Sequence, residues 1–97
     1  MQFLRSLRDP IRRGEITTTV RLWQRPQVKV GGRYALPPGY VVVTRMFEVS
    51  LSEITPELAR ASGFAGLVDL LKVANHGRGR NVYLIHFHYL ARRGKQP

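Results

Sequence analysis

Apolar and polar positions alternate with a period of two in three stretches of this chain and recur with a helical period in two others. From Thr17 to Trp23 the side chains divide into a row of Thr17, Thr19, Arg21 and Trp23 and a row of Thr18, Val20 and Leu22, which predicts a strand with one polar face. Tyr40 to Leu51 is the longest such segment, with Val41, Val43, Arg45, Phe47 and Val49 set against Val42, Thr44, Met46, Glu48 and Ser50. An arginine within the apolar row predicts a bulge near Arg45. Asn81 to Leu90 reads as a final strand, and Arg33 to Leu36 as a short one closed by Pro37-Pro38-Gly39. Val28-Lys29-Val30 leads into that short strand through a tight turn at Gly31-Gly32.

Helices are predicted where caps and periodicity agree. Asp9-Pro10 pairs a capping carboxylate with a first-position proline, and Gly14 stands where one turn would stop. Thr55-Pro56-Glu57 repeats that chemistry and predicts a helix ending at Gly63. Phe64, Leu67, Val68 and Leu71 recur at helical spacing, which predicts a second helix from about Ala65 to Ala74 with one buried stripe. Strands outside and helices in the middle imply an α+β fold, a small mixed, mostly antiparallel β-barrel with two or three short helices.

A chain of 97 residues, 43% hydrophobic, has the size and composition of one domain over 1–97, with a core at about 9–90 and a basic tail at 91–97. It contains no cysteine, so disulfides, thiolate metal sites and cysteine nucleophiles are excluded, and a reducing, cytoplasmic setting is expected. No apolar run approaches the length of a membrane span, and no membrane partner is expected.

Charge sharpens this picture. Sixteen Lys and Arg against six Asp and Glu give a formal charge of +10, which suits a polyanionic partner. The basic residues crowd residues 1–45 and 71–97, whereas 46–70 is net acidic. If the two ends meet in space, one face is basic; a plain excess of arginine serving solubility is the competing explanation.

Two hydroxyls, a guanidinium and an indole in the row Thr17, Thr19, Arg21 and Trp23 can hydrogen-bond, pair with phosphate and stack, as a nucleotide requires. The same row also fits an edge strand whose polar face is merely hydrated. Gly77-Arg78-Gly79-Arg80 can wrap phosphates but lacks the lysine-serine ending of a triphosphate loop. Trp23 and Tyr34 can stack on bases, though a lone tryptophan in so small a domain is commonly core. His86 and His88 share one strand face; with no third ligand evident, no metal and no other cofactor is expected, and a sheet-surface role competes with acid–base work on RNA in which Arg21 or Lys29 steadies the phosphate.

In order along the chain, Gly14 followed by Thr19-Val20-Arg21, then Val30-Gly31-Gly32-Arg33, a long strand, Ile54-Thr55 with Gly63-Phe64 and Leu70-Leu71, and finally Val82-Tyr83-Leu84-Ile85-His86-Phe87 resemble an ASCH domain of the small bacterial single-domain type. ASCH domains are related to the RNA-binding PUA domains. The resemblance spans Asp9 to Leu90 and implies a PUA-like pseudo-barrel of roughly six strands, with a cleft beside the Gly14–Arg21 segment. Some members are acetylcytidine amidohydrolases with the pattern Gly-x-Lys-Thr-x-Thr-x-Arg and a later glutamate. Gly14, Thr17, Thr19 and Arg21 fall on the glycine, the two threonines and the arginine, while Ile16 stands at the lysine. The glutamate position falls near Ser62, with Glu57 upstream in the same helix. An isoleucine can neither move a proton nor attack.

The expected function is an RNA-binding module for single-stranded or structured RNA, with a nucleotide or nucleoside in the cleft. Its expected contacts are Arg12, Arg13, Thr17, Thr19, Arg21, Trp23, Arg25, Arg78 and Arg80. The alternative is a small hydrolase acting on a modified nucleoside or as a ribonuclease, with Thr19, Arg21 and His86 as catalytic candidates and Ser62 or Glu57 replacing missing groups. A third reading is a basic adaptor for an acidic protein.

Overall fold

The alternating segments become four strands, β1 (Thr18–Trp23), β2 (Arg33–Leu36), β3 (Gly39–Val49) and β4 (Asn81–Leu90), in a computed structural model that describes residues 1–74 and 81–91. Three helices accompany them, α1 (Arg5–Arg12), α2 (Pro56–Ala61) and α3 (Leu67–Ala74), with a 3-10 turn at Leu51–Glu53. The strand order is β1-β4-β3-β2, and every pairing is antiparallel. The sheet curls into a half-barrel whose edges are β1 and β2. Four strands are seen among the described residues where the ASCH resemblance implies about six.

Register decides which side chains share a face. Thr18 pairs with His86, Val20 with Leu84 and Leu22 with Val82, so these six point to one side, where Val20 and Val82 pack with Ile54, Ala59 and Leu70 under α2 and α3. Thr19, Arg21 and Trp23 lie opposite Ile85, Tyr83 and Asn81 and point to the other side. There Ile11 of α1 and Ile16 pack on Leu36, Val41 and Phe87, and Val28 packs with Trp23, Val43, Tyr83 and Ile85. The predicted bulge is present: the β3–β4 register shifts between Val43 and Arg45. Val41 and Val43 therefore face α1, while Arg45, Phe47 and Val49, though of the same sequence parity, face the α2–α3 side.

Local chemistry accounts for the helix ends. Thr55 caps α2 by accepting from the Leu58 N–H at 3.1 Å, and Gly63 follows it at φ +96°. Gly14, at φ +77°, closes α1, with the Gly14 N–H on the Ile11 carbonyl and the Glu15 N–H on the Pro10 carbonyl at 3.0 and 2.9 Å, the paired bonds of a Schellman end.

Two expectations are corrected here. Helix α1 starts at Arg5 and not at Asp9-Pro10, leaving Pro10 inside it. Leu7 and Ile11 pack onto the sheet, and that burial outweighs the lost proline donor. On α3 the stripe turns through Leu70, 1% exposed, while Val68 is 66% exposed.

Candidate functional site

Strand β1 is an edge, so its outer flank is lined by whatever covers the two faces of the sheet. On one side lie Phe3, Leu4 and Leu7, and on the other Phe64, Leu70 and Val73, enclosing a groove of about 420 Å³ whose floor is β1 from Thr19 to Trp23. A second recess of about 340 Å³ adjoins it, lined by Met1, Gln2, Arg21, Trp23 and Gln27. Arg21 and Trp23 thus stand between two hollows of the size that small ligands occupy.

Arg21 dominates the chemistry. Its Nε donates to Thr19 Oγ1 at 3.1 Å, and one terminal nitrogen donates to the Gln2 carbonyl. The guanidinium carbon sits 5.1 Å from the Phe3 ring centroid and 6.0 Å from that of Trp23, a distance at which ring faces attract cations. No carboxylate among the described residues lies within 4 Å; the ion pairs there are Asp9–Arg12, Glu15–Arg13 and Glu57–Arg60. Burial lowers its pKa below the ordinary arginine value, to about 10. At neutral pH it remains charged, with its lost hydration only partly replaced.

The hydroxyls split between the faces. Thr19, 9% exposed, serves Arg21. Thr18 turns the other way and shares a buried hydrogen bond with Ser62 at 3.0 Å. Thr17 is exposed and precedes β1, its carbonyl accepting from the Phe87 N–H at 2.9 Å. Trp23 is 8% exposed, tilted on Tyr83 with centroids 5.9 Å apart, so it offers the groove a wall and not a free stacking face. Tyr34 is likewise structural, its hydroxyl accepting from the Lys29 N–H at 2.9 Å.

The arginines do not converge on this groove. Arg12 bonds the Pro37 carbonyl at 2.8 Å and Asp9 at 2.7 Å, and Arg13 bonds Glu15 at 2.8 and 3.3 Å. Pro37 belongs to the β2–β3 turn, beside the Tyr40–Leu90 end of the sheet, whereas Arg25 follows Trp23 at the Asn81 end. Ten residues of β4 lie between. The two basic parts of the chain do meet through β4, but Arg12 and Arg25 stand at opposite ends. Arg78 and Arg80 fall outside the described residues. Among those described, Arg21 is the arginine that lines the groove.

The hydrolase constellation is also separated. His86 pairs with Thr18 and points to the α2–α3 side, away from Thr19 and Arg21. Its ring meets Phe47 edge-on at 6.0 Å, and His88 on the same face is exposed. Ile16 is core, Ser62 is spent on Thr18, and Glu57 lies 3.4 Å from Arg60 in an exposed pair. Among the described residues, no three His, Asp or Glu side chains group as metal ligands, and no helix is long and apolar enough to cross a membrane.

The walls contributed by residues 2–7 and by Phe64, Leu70 and Val73 were not legible as site residues. Their helical spacing signals burial, and only the fold places them at an edge. No family model, curated protein or solved structure matches the chain.

Proposed function

We propose that this chain is a non-enzymatic RNA-binding module of the ASCH, PUA-like type, which holds a phosphate-bearing nucleotide unit of its RNA in the groove beside β1. The observation that carries this reading is Arg21: a half-buried cation without a carboxylate within 4 Å among the described residues, lining a groove of about 420 Å³. An anionic ligand supplies the counter-charge that the protein omits. Phe3, Phe64 and the wall of Trp23 provide apolar surface for a base, and the formal charge of +10 draws the polyanion in.

Fluorescence anisotropy with a labelled single-stranded RNA tests it. Affinity falls at least about tenfold between roughly 50 and 200 mM salt if several phosphates are engaged, and a flat dependence contradicts the reading. The hydrolase alternative has its own assay, incubation with acetylcytidine and with end-labelled RNA. The separation of His86, Ser62 and Glu57 from Thr19 predicts no product. Turnover abolished by Thr19→Val would replace the module with an enzyme.

A further inference from the structure

Among the described residues, the α2–α3 face of the sheet is covered over only part of its length. The helices pack on Val20 and Val82, with Leu22, Val49 and Leu84 at the margin. Beyond that margin the β3–β4 pairs run on as Phe47–Leu84, Arg45–His86, Val42–His88 and Tyr40–Leu90, with Arg33 of β2 opposite Val42. None of Tyr40, Val42, Arg45, Phe47, His86 and His88 belongs to a hydrophobic cluster of the described residues. Phe47 is 45% exposed, and Arg33, Arg45 and His88 are exposed as well.

This open half has the chemistry of a polyanion platform. The Arg33 guanidinium lies 5.3 Å from the Tyr40 ring centroid, and the His86 ring meets Phe47 at 88° with centroids 6.0 Å apart. None of the six acidic residues of the chain is a strand residue of this face. Glu48 pairs with Tyr83 and so points to the α1 side, Asp9 lies in α1 and Glu15 just after it, and Glu53, Glu57 and Asp69 lie in the helical segment. The β-bulge creates the arrangement, because the register shift at Val43/Arg45 brings Arg45 and Phe47 to the side that Tyr40 and Val42 occupy. Tyr40 and Phe47 are then separated by roughly 20 Å of strand, room for about four nucleotides.

We propose that Tyr40, Arg45, Phe47, His86 and His88, with Arg33, form a stacking platform for a single-stranded RNA segment, on the face of the sheet opposite to the one that carries the Arg21 side chain. Bases stack on rings irrespective of sequence, and guanidiniums pair with the phosphates between them. A second copy of the same face is disfavoured, because two surfaces whose charged strand residues are the arginines Arg33 and Arg45 repel. The platform rests on the proposed reading of the chain as an RNA-binding module but uses no groove residue, so variants of the two surfaces test them separately.

The test uses the full chain and a labelled single-stranded RNA of about twelve nucleotides. Tyr40→Ala and Phe47→Ala each weaken binding roughly tenfold, and Arg45→Ala lowers the slope of log affinity against log salt by about one. Phe47→Leu keeps apolar bulk and also weakens binding, whereas Phe47→Tyr restores it; this pair keeps the test valid if alanine at 47 disturbs folding. Binding within twofold of native in the Tyr40 and Phe47 variants, with unchanged melting, overturns the platform. If only Arg21→Met weakens the complex, the platform falls and the groove stands; if only the aromatic variants do, the groove falls and the platform stands. A native protein that binds no RNA overturns both.

Discussion

Arg21 and Thr19, two residues apart on one face of β1, are joined by a hydrogen bond from Nε to Oγ1 at 3.1 Å, so the hydroxyl positions a cation. The cation itself has no carboxylate within 4 Å among the described residues. In the proposed reading, such an arrangement trades stability for ligand affinity. Arg21→Met is expected to melt at or above the temperature of the native protein, because a partly dehydrated charge is replaced by a flexible apolar chain between Phe3 and Trp23. Its RNA affinity falls roughly tenfold or more, the loss of one charge-assisted contact. A large drop in melting temperature would show Arg21 to be a structural brace.

The same group predicts an alkaline signature. Because burial lowers the folded-state pKa to about 10, the guanidinium is protonated in both folded and unfolded chains below that value, and the full burial penalty applies. From about pH 10 upward the unfolded state binds more protons than the folded one, so this group's contribution makes stability rise with pH. Urea titrations of native protein and Arg21→Met should therefore differ by a constant amount up to about pH 9, with the native protein gaining on the variant above pH 10. A difference independent of pH throughout would contradict the burial of that charge.

Much of this architecture is written locally. Thr55 and Gly63 bracket α2 through a side-chain cap and a positive φ, and β4 spans Asn81 to Leu90 because alternating apolar residues on a central strand leave no choice of register. Arg45 in an apolar row signalled the bulge, since a charge at an apparent core position requires the parity to change. The start of α1 was not legible. It depends on Leu7 and Ile11 meeting a sheet formed by residues far away in sequence. For the site, Thr19 and Arg21 followed from the two-residue period. The dispersal of Arg12, Arg13 and Arg25 did not, because net charge carries no information about position, although Asp9 and Glu15 stand within reach of the first two.

Thr18 offers a contrast to its neighbour. Its hydroxyl pairs with that of Ser62 at 3.0 Å, and the two residues are 8% and 2% exposed. Thr18→Val leaves the Ser62 hydroxyl buried without a partner and is expected to cost about 1–3 kcal/mol. Adding Ser62→Ala removes the orphan and recovers part of that loss, a coupling that a double-mutant cycle in urea reads directly. RNA affinity stays within twofold of native in both proteins, because this pair is buried and lines neither the groove nor the exposed surface of the platform. Loss of binding in Thr18→Val would mean that the two faces of β1 act together.

Gly63 ties α2 to the wall of the groove. A Cβ placed there would come within 2.6 Å of Leu7 Cδ2 and 2.7 Å of Ile16 Cδ1, at a φ of +96°. Alanine is therefore strained by its backbone and pushes on Leu7, which lines the groove. Gly63→Ala is expected to cost about 1–3 kcal/mol and to weaken RNA binding in step, since Leu7 must move or the turn must open. Gly66→Ala is the matched control: nothing lies within 4 Å of its added carbon, and its stability should remain within about 1 kcal/mol of native with affinity unchanged. Equal melting of the two variants would mean that the contact of Gly63 with Leu7 and Ile16 carries no weight, and that the groove wall is held by the packing of α1 alone.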